Sequence, residues 1–156
     1  MYSSVLFICT GNICRSPTAD GMLREKLKKE GLEHIVVDSA GIHAFHEGSP
    51  PDIRAVEEAK SRGYDISGLV SRPIFPEDFL QFDLIIAMDE GHLHSLRMMK
   101  PEESNAVLKL HSHFAKDPVW ENVPDPYYGG PEHFTMAFDL IENGVDGILE
   151  KLKEKI

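Results

Sequence analysis

Cys9 and Arg15, with five residues between them in Cys9-Thr10-Gly11-Asn12-Ile13-Cys14-Arg15-Ser16-Pro17, are two side chains that could do chemistry together. A cysteine thiolate is a nucleophile, and a guanidinium is a planar two-point ligand for phosphate oxygens. The spacing alone is weak, since a packed Cys and a surface Arg satisfy it equally well. Its surroundings carry the reading. Val5-Leu6-Phe7-Ile8 is an apolar run without alternation, as in a parallel strand buried on both faces. Pro17, with φ preset and no amide hydrogen to lose, suits a first helical position behind Ser16 as N-cap. A turn between such a strand and helix points successive backbone N–H groups and the positive helix end into one concavity, which binds anions. Cys9 at its floor would be favoured as thiolate. Arg15 would reach over the rim and follow the oxygens as phosphorus flattens towards a trigonal bipyramid. Gly11 permits close backbone approach, and Asn12 tolerates left-handed φ while offering a side chain to lock the loop.

The elements that must position this loop are legible in chain order. Ala19, Met22, Leu23 and Leu27 share one face of a helix over 17–30, with Gly31 as its stop. A second strand at 35–37 ends in Asp38-Ser39-Ala40-Gly41, so Ser39 emerges at a carboxyl strand end, where ligands gather in open α/β sheets. Residues 43–48 form a loop whose Phe45 can wall a site for an aromatic substrate, and a short helix runs from Asp52 to about 62. Residues 63–81 read as turns and a short helix near 76–80, without chemistry. The third strand is 82–88, followed by Asp89 as N-cap of a helix to 98 or 99, and the fourth is 106–110. Residues 116–130, with three prolines and Gly129-Gly130, cannot be regular, and loops of that length are usually functional. The last helix, from 132, carries Phe134, Phe138, Ile141, Val145, Ile148 and Leu152 as a packing stripe. Strand–helix alternation predicts an α/β chain, a single domain over 1–156 in three layers, with a four-stranded parallel sheet and helices on both faces.

At 156 residues the chain can bury a core, and its formal net charge of −10 argues against nucleic acid or an acidic membrane surface as partner. Both cysteines lie in the loop, which fits a reduced compartment and a cytoplasmic location rather than a disulfide scaffold. Met1 leads straight into the first strand, and no apolar run approaches 18 residues, so neither secretion nor membrane spanning is indicated. The pairs His92/His94 and His111/His113 raise a metal-dependent phosphoesterase, but helical ligand pairs are expected four apart and no carboxylate cluster accompanies them. A nucleotide P-loop is disfavoured because Arg15-Ser16 stands where Gly-Lys-Ser/Thr is needed.

The loop resembles the C-x-G-N-x-C-R-S-P signature of the low-molecular-weight protein tyrosine phosphatases, and the resemblance extends to Asp38-Ser39-Ala40-Gly41, Ala87-Met88-Asp89-Glu90 and Asp125-Pro126-Tyr127-Tyr128-Gly129. It implies Cys9 as nucleophile, Arg15 as phosphate clamp and Asp125 as general acid and then base, presented by Pro126. It further implies a phosphate cradle of Thr10, Gly11, Asn12, Ile13, Cys14 and Ser16, with Ser16 donating to Cys9, Ser39 steadying Asn12 and Asp89 buttressing the loop. Phe45, Tyr127 and Tyr128 would wall the substrate, a phosphotyrosine-containing protein or small aryl phosphate. No metal or cofactor is required, and a monomer is expected, with weak dimerisation as the alternative. Thr10 also follows the cysteine in related protein-arginine phosphatases, which keeps phosphoarginine open. The thioredoxin-coupled arsenate reductases share fold and loop but relay oxidation through later cysteines, and none follows Cys14 here. Cys14 itself either packs beneath the loop or condenses with an oxidised Cys9.

Overall fold

Strand β1 (Ser4–Cys9) is buried at every position because it is paired on both sides and covered on both faces, which is why its sequence does not alternate. The computed structural model describes residues 2–116 and 118–154, so Met1 before the first strand, Asp117 in the long loop, and Lys155 and Ile156 lie outside the described residues. The sheet has the order β2-β1-β3-β4, with β2 (Val36–Gly41), β3 (Leu84–Ala87) and β4 (Val107–Leu110). All pairings are parallel. Cys9 aligns with Gly41, and Ile8 with Ala87, so the phosphate loop, the end of β2 and the end of β3 leave the sheet along one edge.

Side chains of β1 divide between two cores, and the three layers follow from that division. Val5, Phe7 and Cys9 join the core under α1 (Arg15–Lys29), α2 (Ile53–Ser61) and α5 (Pro131–Lys153), while Leu6 and Ile8 join Phe79 of α3 (Asp78–Gln81) and Leu93 and Leu96 of α4 (Glu90–Met99). All six members of the predicted α5 stripe are buried. A 3₁₀ turn over His111–Phe114, not anticipated, sets the His111 ring against Gly144 of α5, a close approach that no larger residue permits. Among the described residues, no helix is long and apolar enough to cross a membrane.

Helix α1 begins two residues earlier than Pro17. Cys14 is its cap, without a side-chain cap bond, and Ser16 sits within the first turn. The Ser16 hydroxyl is engaged elsewhere, and Pro17 loses nothing there, because first-turn N–H groups have no intrahelical partner. A second difference lies in 63–81. Residues 72–74 run beside the end of β2, with the Gly41 amide donating to the Arg72 carbonyl at 2.8 Å and the Ile74 amide to the Gly41 carbonyl at 2.8 Å. The segment read as bare turns thereby reaches the phosphate loop.

Candidate active site

The shape of the loop after β1 is set by where its carbonyls point. The Ile42 amide donates to the Cys9 carbonyl at 2.9 Å, the His43 amide to that of Thr10 at 3.0 Å, and the Asp52 amide to that of Ile13 at 2.8 Å. Ser71 Oγ donates to the Gly11 carbonyl at 2.9 Å and Thr18 Oγ1 to that of Cys14 at 2.7 Å. Each peptide is planar and trans, so a carbonyl tied outward turns the next residue's N–H the opposite way. The amides of Thr10, Gly11, Asn12, Cys14 and Arg15 are thereby turned away from those donors, and Thr10, Gly11, Ile13, Cys14 and Arg15 line one concavity at the amino end of α1. Such a nest takes an anion. Gly41 is required at its outer wall, since a Cβ there would stand 2.8 Å from the Thr10 carbonyl oxygen.

Asn12 closes the turn with φ of 59°, in the left-handed region. Its Nδ2 donates to Ser16 Oγ at 2.7 Å and Ser39 Oγ at 3.0 Å, and its Oδ1 accepts from the Arg72 amide at 3.1 Å. Having accepted from Asn12, Ser16 Oγ has its own proton to give, and Cys9 Sγ lies 2.9 Å away, nearer than the Ala40 carbonyl at 3.4 Å. Cys14 is buried beneath the loop. Burial first, then the nearby Asp52 carboxylate, pushes its thiol well above the ordinary range, so it packs as a neutral thiol.

Arg15 is buried and held on several sides. Its Nη1 donates to Asp89 Oδ2 at 3.0 Å and to the Val123 carbonyl at 3.0 Å, and its Nη2 donates to Thr10 Oγ1 at 3.2 Å. Asp89 serves both purposes open to it, because its Oδ1 caps α4 by accepting the His92 amide at 2.9 Å. Burial opposes ionisation of Asp89, but the His92 amide and ring together with Arg15 outweigh it and hold the carboxyl below the usual range. Asp125 Oδ2 lies 3.6 Å from Arg15 Nη2, and its Oδ1 accepts the Tyr127 amide at 3.0 Å.

These groups meet in one cavity of about 400 Å³. Cys9 and Arg15 lie at its inner end, Thr10, Gly11, Ile13 and Cys14 around them, and Asp125, Phe45, Tyr127 and Tyr128 on its walls. Phe45 is exposed and stacks on His43 with centroids 4.8 Å apart, rather than packing down on a helix. Tyr128 stands edge-on to Tyr127 at 4.9 Å, and the Arg54 guanidinium lies 5.4 Å from the Tyr127 centroid. Ser39 is outside the cavity, behind Asn12. Of the histidines weighed as metal ligands, His92 bonds Thr10 Oγ1 at 2.8 Å, and His111 is buried with Nε2 2.9 Å from the Ile141 carbonyl. Among the described residues, no three His, Cys, Asp or Glu side chains converge on a metal position.

Across residues 4–156 the chain matches the family model described as low molecular weight phosphotyrosine protein phosphatase. The chain belongs to that family. Similar to it is the low molecular weight protein-tyrosine-phosphatase YfkJ of Bacillus subtilis, 38% identical over 153 residues, 97% of each chain. Among solved structures, a protein tyrosine phosphatase of Entamoeba histolytica with Hepes in its active site superposes with a TM-score of 0.91 at 36% identity, over 96% of each chain. A Drosophila arginine phosphatase superposes with a TM-score of 0.89 at 30% identity, over 97% of this chain and 99% of its own.

Sequence reasoning missed Ser71, Arg72 and His92 as neighbours of the phosphatase loop, and His46, which also lines the cavity beside Gly11. His92 carried a usable signal, because it stands three residues after the capping Asp89 and so shares its side of the helix. Ser71 and Arg72 carried none, since only the sheet edge brings them to Gly11 and Asn12.

Proposed function

We propose that this family member hydrolyses aryl phosphate esters, phosphotyrosine in proteins above all, through a cysteinyl-phosphate. The observation that supports it best is the convergence of Cys9 Sγ, the fixed Arg15 fork and Asp125 in one aromatic-walled cavity lined by loop amides. In the first step Cys9 Sγ attacks phosphorus, the S–P bond forms and the bond to the phenolic oxygen breaks, with Asp125 giving that oxygen its proton. The amide nest and Arg15 hold the three equatorial oxygens throughout. In the second step Asp125 takes a proton from water as the water attacks phosphorus. The S–P bond breaks, and the Ser16 hydroxyl stabilises the departing thiolate. Phe45, Tyr127 and Tyr128 suit a flat ring long enough to carry phosphorus down to Cys9.

Phosphoarginine is the second reading, favoured by Thr10 beside the nucleophile and by the likeness to the Drosophila arginine phosphatase. One experiment decides between them: turnover of phosphotyrosine, phosphoserine and phosphoarginine peptides, with chelator present, by wild type and Cys9→Ser. Phosphotyrosine turnover that chelator leaves intact and Cys9→Ser abolishes is the expected result. Substantial activity in Cys9→Ser would overturn the nucleophile, and faster phosphoarginine turnover would overturn the substrate.

A further inference from the structure

Behind the phosphate loop, four side chains close a ring, and the hydrolysis scheme uses only Arg15 of them. Arg15 Nη1 meets Asp89 Oδ2 at 3.0 Å, Arg15 Nη2 meets Thr10 Oγ1 at 3.2 Å, Thr10 Oγ1 meets His92 Nε2 at 2.8 Å, and His92 Nδ1 lies 3.2 Å from Asp89 Oδ1. The protons in this ring can be assigned from the partners. His92 is buried, and burial first, then Arg15, lowers its pKa to about 4, so at neutral pH the ring carries one proton. Among the described residues Nδ1 has no aligned hydrogen-bond partner, and the atom facing it is a carboxylate oxygen. A bare Nδ1 lone pair would oppose the lone pairs of that oxygen, so the proton belongs on Nδ1 and Nε2 is the acceptor. Thr10 Oγ1 already accepts from Arg15 and therefore gives its own proton to Nε2.

We propose that His92, in the Nδ1–H form, is a positioning residue for Arg15: by taking the Thr10 hydroxyl proton it turns a Thr10 lone pair onto Nη2, and the guanidinium plane is fixed at both ends. Asp89 and the Val123 carbonyl both hold Nη1, and Thr10 Oγ1 is the hydrogen-bond acceptor that orients Nη2. With Thr10 locked, Nη2 is aimed before phosphate arrives, which is where a donor contributes most to the transition state. The same lock occupies the Thr10 hydroxyl, so the phosphoryl group meets the Thr10 amide and not its side chain. The inference rests on the hydrolytic reading above for its catalytic consequence, though not for its proton assignment.

The test has a kinetic and a spectroscopic arm. Turnover of p-nitrophenyl phosphate, and calorimetric affinity for vanadate and for inorganic phosphate, would be compared in wild type, His92→Leu, His92→Gln, Thr10→Val and Thr10→Ser. A misplaced catalytic group costs roughly 10- to 100-fold, so His92→Leu and Thr10→Val should lose that much in kcat and in vanadate affinity, with KM and phosphate affinity within about twofold. Gln presents an acceptor near the Nε2 position and Ser keeps the hydroxyl, so both should recover most of the loss. The double variant His92→Leu/Thr10→Val should be no worse than either single one. Long-range ¹H–¹⁵N correlation on the wild-type ring should find Nδ1 protonated and Nε2 bare, whatever the substrate. A protonated Nε2, unchanged kcat in His92→Leu, or equal damage from Leu and Gln would each overturn the proposal. Wild type inert towards p-nitrophenyl phosphate would instead refute the hydrolytic reading, and the ring spectrum and vanadate affinities would still decide the role of His92.

Discussion

Asn12 offers the most direct test of how the phosphate loop is held. Replacing it with Ala removes three hydrogen bonds, to Ser16, Ser39 and the Arg72 amide, and leaves a Cβ-bearing residue at φ of 59° without the polar side chain that eases that conformation. At roughly 1 kcal/mol per bond, with about 1 kcal/mol for left-handed strain, the loss should be about 4 kcal/mol. For a urea m-value near 2 kcal/mol/M, the unfolding midpoint would fall by about 2 M. Turnover should drop by about 10²-fold, because the amides and the Ser16 hydroxyl would no longer be aimed in advance. Asn12→Gly is the control that separates the two causes: it relieves the strain but not the missing bonds, so it should still lose roughly 3 kcal/mol. Urea unfolding and p-nitrophenyl phosphate turnover on both variants give the comparison. If Asn12→Gly kept wild-type stability and rate, the three bonds would contribute nothing and the argument from loop bracing would be wrong.

Asp125→Asn should slow phenolic leaving groups by roughly 10²- to 10⁴-fold and activated ones much less, and equal losses across leaving groups of different pKa would remove Asp125 from proton transfer. Arg15→Lys should be nearly as damaging as Arg15→Ala, since an ammonium keeps the charge but loses the two-point geometry; near-normal turnover in the lysine variant would show that charge suffices. Burial lowers the His111 pKa from 6.5 to about 4, so the unfolded chain binds the extra proton first as pH falls, and the stability present above pH 6.5 is lost between there and about 4. Its share of the change is about 3 kcal/mol, and because His92 titrates over the same window, His111→Leu should make the profile from urea unfolding shallower by that share; an unchanged slope would refute the assignment. For Cys14, recovery of activity after a peroxide dose and thiol reductant is compared in wild type and Cys14→Ser. Poorer recovery is expected in the variant, which lacks the thiol that would condense with an oxidised Cys9, and equal recovery would leave Cys14 a packing residue only.

The strands, the main helices and the phosphate loop were legible because each has a local cause. Val5 to Ile8 are apolar without alternation, Asp52 and Asp89 cap the helices that follow them, and the α5 stripe keeps helical spacing over its whole length. Ser16 was misread for the opposite reason: a Ser before a Pro is a sound local cap, but Cys9 and Asn12 compete for its hydroxyl, and only the fold shows that competition. Ser71 and Arg72 were invisible because nothing in Gly, Ser and Pro spacing announces that residues 72–74 will lie along the end of β2. His92 sat between these cases, with its side of the helix readable and its partner Thr10, far away in the chain, not.

The outward carbonyls of the phosphate loop have a consequence for the chain as it is made. Their donors come from Thr18, Ile42, His43, Asp52 and Ser71, and Arg15 is held from Asp89 and Val123, so the loop takes its working form only when segments spread over most of the sequence have assembled. A nascent or partly opened chain carries Cys9 but not the phosphatase, and catalytic competence becomes a readout of complete folding. The dependence runs both ways. An anion that fits the assembled nest and not the open chain must stabilise the whole domain, by RT ln(1 + [L]/Kd). Phosphate, the product expected of this enzyme, is then also a ligand that helps keep it folded.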